Sequence, residues 1–154
     1  MGEVRVPVKL TNTHDVAASF AGHLPPEKVR AIEVEALVDT GATRSVVPAT
    51  VLQELGITAY DTAMAELADG RTQEVGMAEG IRFSILGRNS SDDALVLGDE
   101  VLVGQTLLEK MDLLVDCKQQ RLIPNPAHPN YPVTKVKTIR LDQVGHHHHE
   151  NFRH

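Results

Sequence analysis

Residues Val34-Glu35-Ala36-Leu37-Val38-Asp39-Thr40-Gly41-Ala42-Thr43 decide how this chain is read. An apolar run climbs to an aspartate, and Thr40 and Gly41 then turn the backbone. A carboxylate at the end of a buried strand is costly unless donors hold it. Backbone N–H groups are the usual donors, and Gly41, with no Cβ, permits the sharp turn that presents them. Asp39 therefore reads as a carboxylate set at the floor of a cleft. Aspartate, threonine and glycine are also ordinary turn residues. Taken alone, the tetrapeptide describes a plain strand–turn junction equally well, and the rest of the chain has to separate the two readings.

The totals narrow the field. With 154 residues the chain is long enough for one domain with a core. Apolar residues make up 42% and aromatic residues only 3%. Valine, leucine, isoleucine and alanine must fill the interior, and β-branched bulk of that kind favours strands. A net charge of −6 argues against nucleic acid as a partner, because phosphate contacts need a basic face. Cys117 is the only cysteine, which excludes an internal disulfide and makes a reducing compartment the default. Met1-Gly2-Glu3 opens without a basic or apolar leader, and no apolar run approaches the length of a membrane span. The expectation is a soluble, cytoplasmic protein with no membrane partner.

Outward from Asp39 the pattern is mainly one of strands. Val4, Val6, Val8 and Leu10 alternate with polar positions and predict a strand, placed at an edge or a local break by Pro7. Asn12 to Glu27, broken by Gly22, Pro25 and Pro26, reads as a loop or a long hairpin tip. Val29 to Val38 is the second strand. Val46 and Val47 re-enter the core, and Pro48 opens a short helix that Gly56 closes. Ala63 to Leu67 and Arg71 to Met77 flank Asp69-Gly70, a hairpin signal that predicts positive φ at both central residues. Gly80 to Leu86 reads as a further strand and Gly87 to Asp93 as a polar turn. Ala94 to Val103 is apolar apart from Gly98-Asp99-Glu100, and Gly104 ends it. Thr106 to Met111 predicts a short helix. Leu113 to Val115 and Arg121 to Ile123 predict a final hairpin. Prolines at 124, 126, 129 and 132 forbid regular structure, Val133 to Leu141 alternates like a last strand, and residues 142–154 read as a disordered His-rich tail.

The order strand, Asp-Thr-Gly-Ala, short helix, long hairpin, strand, apolar-apolar-Gly and helix resembles the retropepsin-like aspartic proteases. The first half of the resemblance lies in Ala36-Leu37-Val38-Asp39-Thr40-Gly41-Ala42, the second in Leu102-Val103-Gly104-Gln105-Thr106-Leu107-Leu108. It covers roughly Val29 to Ile123 and is nearest to single-domain bacterial members, cyanobacterial ones included. It implies an all-β acid-protease barrel with one or two short helices over residues 1–141, with core 29–123, working as a homodimer. Asp39 is then the catalytic residue. Thr40 braces the loop across the dimer axis, Gly41 offers an N–H to the carboxylate, and Ala42 stands where relatives can carry serine, which implies a less acidic working range. Leu67, Ala68, Asp69, Gly70 and Arg71 form the flap over the substrate, and Val103 and Gly104 the cleft wall. The chain departs from the retroviral pattern in a flap tip with only Gly70, a long segment from Asn12 to Lys28, and an extension after Ile123.

Aspartic proteolysis needs two carboxylates sharing one proton, because like charges in contact cannot both ionise. The chain holds Asp-Thr-Gly once, since Asp61-Thr62-Ala63 lacks the glycine. Counting alone thus calls for a symmetric dimer that brings Asp39 to its mate. The expected activity is an endopeptidase acting on extended, apolar-rich peptides without metal or cofactor. The rival reading is a dimeric peptide-binding module on the same fold that does not cleave. Asp92-Asp93 and Asp99-Glu100 read as solvated loop carboxylates, and His14, His23 and His128 as surface residues. Cys117 reads as an incidental thiol, and Arg44 and Arg121 as partners for interface carboxylates. His146 to His149 reads as a metal-binding tract or an added affinity tag and is set aside.

Overall fold

A computed structural model describes residues 2–136. Among them, nine strands and three short α-helices follow one another along the chain, with a single 3-10 turn at Pro26–Lys28. The strands β1 (Val4–Asn12), β2 (Ala31–Val38), β7 (Leu102–Val103), β3 (Val46–Val47), β6 (Arg88–Val96) and β5 (Thr72–Ile85) lie side by side in that order, and β1 pairs again with β5. The sheet is therefore a closed barrel, which removes all but short edges. β4 (Asp61–Glu66) hangs outside the ring on β5 alone, and β8 (Leu113–Asp116) with β9 (Arg121–Pro124) makes a separate two-stranded sheet.

Alternation fills the barrel as the composition requires. Val6, Val8 and Leu10 of β1 and Ile81, Phe83 and Ile85 of β5 point inward, and Phe83 is the one buried aromatic among the described residues. α2 (Ala49–Leu55) adds Val51, Leu52 and Leu55, and α3 (Gln105–Met111) adds Leu107, Leu108 and Met111, both from the faces their spacing predicts. Gly56 ends α2 in the left-handed conformation, φ +67°. Pro7 sits in the half of β1, Val4 to Val8, that pairs with β2 only, so its missing N–H leaves no ladder incomplete.

The structure corrects the sequence reading in several places. Asn12 to Glu27 is no loop: α1 runs over Thr13–Phe20. Asn12 is its N-cap, accepting from the Asp15 N–H at 3.1 Å, while its own amide donates to the Leu55 carbonyl at 2.8 Å. One buried asparagine thus starts α1 and ties it to the end of α2. Gly87 to Asp93 is no turn either. Leu86 and Gly87, both at positive φ, turn the chain in two residues, and Arg88 to Asp93 is already strand. The two runs on either side of Gly80 are one strand, β5, with a register shift between Ala78 and Ile81 where Gly80 adopts φ +77°. Val133 to Val136 forms no strand, and the rest of that stretch, with the His-rich tail, lies outside the described residues.

Arg88 explains how the segment after β9 is held. Its guanidinium is buried and donates to the carbonyls of Met111 and Asp112, at the end of α3, and to that of His128. The Asp112 carboxylate in turn accepts from the Asn125 amide at 2.9 Å, the His128 ring at 2.6 Å and the Val133 N–H at 3.1 Å. His128 is therefore a half-buried partner of Asp112, and not the surface residue its isolation in sequence implies. The Asn125 bond foremost, then the Val133 and His128 contacts, hold the Asp112 carboxyl below its usual range.

Asp15 carries the second such anchor. The Arg30 guanidinium, its Nε 2.8 Å from Oδ2 and Nη2 3.0 Å from Oδ1, lowers the Asp15 pKa, with a smaller contribution from the Arg30 backbone N–H. A carboxyl whose folded pKa is depressed stabilises the fold above its unfolded value, here 3.8, and loses that contribution as pH falls through the folded one. Asp15→Asn should accordingly lower the urea midpoint at neutral pH, and its gap to wild type should narrow as pH falls below 3.8. A gap that does not change with pH would mean that the charge of Asp15 is not what α1 depends on.

Candidate active site

The site is built where the chain crosses from one side of β7 to the other. β2 lies parallel to β7, with Val38 opposite Val103, and β3 lies antiparallel to it, with Val46 opposite Leu102. Residues 39–45 make the crossing. The Asp39 N–H donates to the Val103 carbonyl at 2.9 Å, and the Ala42 N–H turns back to the Asp39 carbonyl at 3.1 Å. Two N–H groups at the start of α3 donate into the same turn, Gln105 to the Ala42 carbonyl at 2.8 Å and Thr106 to the Thr43 carbonyl at 3.1 Å. No side chain caps α3, because the turn itself satisfies these orphan donors. The fully buried Ser45 hydroxyl accepts from the Gly104 N–H at 3.0 Å and completes the lock.

The Asp39 carboxylate, half-buried, accepts the Gly41 N–H on Oδ1 at 3.0 Å. It stands in a cleft of about 740 Å³. The floor is Leu37, Asp39 and residues 41–44 with Val46, the roof is Met64 to Ala68, and the end wall is Leu95, Leu97 to Glu100 and Leu102. Asp39 and Thr40 also border a second depression of about 330 Å³, shared with Gly2 to Val4 and with Val115, Cys117 and Gln120 around the β8–β9 hairpin.

Of the residues singled out in the sequence, Asp39, Gly41 and Ala42 share the cleft with Leu67 and Ala68. Thr40 is exposed on the side of the second depression. Asp69, Gly70 and Arg71 form the hairpin tip beyond the lining. The tip has five residues between Glu66 and Thr72 and positive φ at Gly70 only, so Asp69 does not adopt the conformation expected of a two-residue turn. The Asp69 carboxylate accepts the Arg71 N–H at 3.0 Å and its guanidinium at 2.6 Å. These two bonds, the backbone one first, lower the Asp69 pKa.

Val103 and Gly104 lie behind the turn and not on the cleft wall. Val103 is fully buried, and Leu102 takes the lining position beside it. Gly104 is required for closeness: a Cβ there would meet the Arg44 carbonyl carbon and oxygen at 2.6 Å and the Ser45 nitrogen at 2.9 Å. Met64 and Glu66 fall in the segment Met64 to Met77 that the resemblance sets as the flap, whereas sequence reasoning does not find Leu95 and Leu97, although they share one side of an alternating run. Asp92 and Asp93 are strand residues paired with Lys110 and Arg44, so neither is a solvated loop carboxylate, and Arg44 finds its partner within its own chain.

A closed barrel with an Asp-Thr-Gly turn locked between β7 and α3, under a hairpin, defines the retropepsin-like acid-protease fold. Residues 26–115, more than half of the chain, match the family model described as aspartyl protease, and the chain belongs to that family. No curated protein matches it.

Gly104→Ala should cost about 1–3 kcal/mol, since the clash is with backbone that cannot rotate away. Urea unfolding measures the loss. A stability equal to wild type would show that the turn and α3 are less tightly apposed than these distances require.

Proposed function

We propose that this aspartyl-protease chain is an endopeptidase active as a homodimer, in which Asp39 of each protomer forms the catalytic pair. The observation that carries the proposal is the Asp39 carboxylate itself, held by the Gly41 N–H in a partly apolar cleft of about 740 Å³. The Gly41 bond is also what an ordinary Asx-turn makes; beyond it, Asp39 is the one charged residue that borders both the cleft and the second depression, and so stands where two protomers can meet. The second depression supports the dimer. Thr40, the N-terminal residues and the β8–β9 hairpin surround Asp39 on one face, and Val4 to Val8 of β1 have strand partners on one side alone.

In this reading the two Asp39 carboxylates share a proton. The ionised one takes a proton from water, and the resulting hydroxide attacks the scissile carbonyl carbon. The protonated one hydrogen-bonds to that carbonyl oxygen as it becomes an oxyanion. Collapse of the tetrahedral intermediate breaks the C–N bond, and the carboxyl that took the water proton passes it to the leaving amine, which returns the pair to its singly protonated state. Thr40 braces the two turns across the axis. Substrate is held extended beneath Met64 to Ala68, with apolar side chains against Leu37, Leu95, Leu97 and Leu102. Neither metal nor cofactor has a step to perform, and the described residues contain no cluster of metal-ligating side chains. Among them, no helix is long and apolar enough to cross a membrane.

One observation favours the second reading, a dimeric peptide-binding module that does not cleave. The hairpin tip carries a single glycine, Gly70, which is also its one residue at positive φ, so its backbone has few points at which to flex. The two readings part on cleavage of an unfolded protein: the endopeptidase cleaves it and Asp39→Asn does not, whereas the module binds it intact.

Assembly supplies the sharper test. Specific activity should fall on dilution below the dimer dissociation constant, by mass action. Mixing wild type with excess Asp39→Asn chains should poison activity, because heterodimers carry half a dyad. Activity per wild-type chain that stays constant in such mixtures, after time for subunit exchange, would sink the shared pair and require a complete site in each chain.

A further inference from the structure

Five charged side chains line the cleft, and they are not equivalent. Asp39 is the residue at its floor. Arg44 is neutralised by Asp93 at 2.7 Å, and Glu100 by Arg5 at 2.9 Å. Glu66 and Asp99 remain. Both are exposed, and among the described residues neither has an ion-pair partner or a side-chain hydrogen bond. They come from different elements: Glu66 is the last residue of β4, on the roof, and Asp99 follows Gly98 in the turn between β6 and β7, on the end wall.

We infer that the cleft selects peptides carrying a lysine or arginine next to the apolar residues it binds, with Glu66 and Asp99 receiving the cationic head. The inference rests on the reading of the cleft as a peptide site. A concave wall of low polarity focuses the field of charges at its rim, so two uncompensated carboxylates there concentrate cations and repel acidic side chains. Lysine and arginine suit the lining in both their parts. The aliphatic stem lies along Leu67 and Leu97, the sequence neighbours of Glu66 and near neighbours of Asp99, while the head stays hydrated at the carboxylates. The remaining lining charges are cancelled from within the chain, which leaves these two as the ones a substrate can answer. Exposed pairs are individually weak, so the expected discrimination is modest: roughly ten-fold in favour of lysine over glutamate, and less at high salt.

The experiment uses three matched peptides with the same apolar segment, flanked by lysine, glutamine or glutamate. It reads kcat/KM with wild type and, separately, fluorescence-anisotropy binding to the Asp39→Asn protein. The expected order in both is lysine, then glutamine, then glutamate. Glu66→Gln with Asp99→Asn should bring the lysine-to-glutamate ratio toward one, and Glu66→Lys with Asp99→Lys should invert it. Both positions are exposed, so folding is not at stake. Equal handling of the three peptides by wild type, or a preference that survives both double variants, overturns the inference, as does failure of every peptide to bind. A lysine preference in binding with no cleavage of any peptide upholds it and overturns the endopeptidase reading instead.

Discussion

The structure depends on the apposition of the Asp39 turn to the junction between β7 and α3. Backbone bonds from Asp39, Gln105 and Thr106, and one from Gly104 to the Ser45 hydroxyl, join two segments some sixty residues apart in sequence. Each partner meets a need of the other. The start of α3 has free N–H groups and no side-chain cap, and the turn has free carbonyls that cannot enter a ladder while the chain crosses β7. Gly104 makes the approach possible by having no Cβ. Because β2, β7 and β3 are neighbours in the closed ring, the orientation of the Asp39 carboxylate is a property of the whole barrel.

This explains which parts are legible in the sequence. The Asp39 turn, α2, α3 and the last hairpin announce themselves locally, through a glycine, a proline or a helical stripe. The Leu102-Val103-Gly104 segment is recognisable only as the second half of a familiar order. Its partners, Arg44 and Ser45, are distant in sequence, so Gly104 reads as wall when it is backing. α1 escapes the sequence reading because Gly22, Pro25 and Pro26 outweigh a cap whose signal is a single asparagine. Asn12 owes that role to the Leu55 carbonyl, which no local pattern contains. Arg88 to Asp93 reads as a turn because the strand carries polar residues, and these are polar because Lys110, Arg44 and the end of α3 wait for them.

The charges of the molecule divide by the same logic. Arg88, Asp112, Asp15 and Arg30 act between elements and anchor segments that the barrel itself does not hold. Arg5 and Arg44 compensate Glu100 and Asp93 at or beside the cleft, while Asp39, Glu66 and Asp99 of its lining keep their charge unanswered among the described residues. Composition reports only the excess. Its effect on the proposed function depends on which carboxylates the fold leaves unanswered.

The register shift in β5 has a mechanical meaning. Before it, Thr72 to Met77 hold β4. After it, Ile81 to Ser84 close the ring against β1. Gly76 to Ala78 also pair with β6 before the shift, so the part of the hairpin that stands clear of the ring is β4 with Thr72 to Val75. Opening that part needs no closure bond of the barrel to break. The roof can melt, exchange its amides or be nicked while Asp39 and its supports stay ordered.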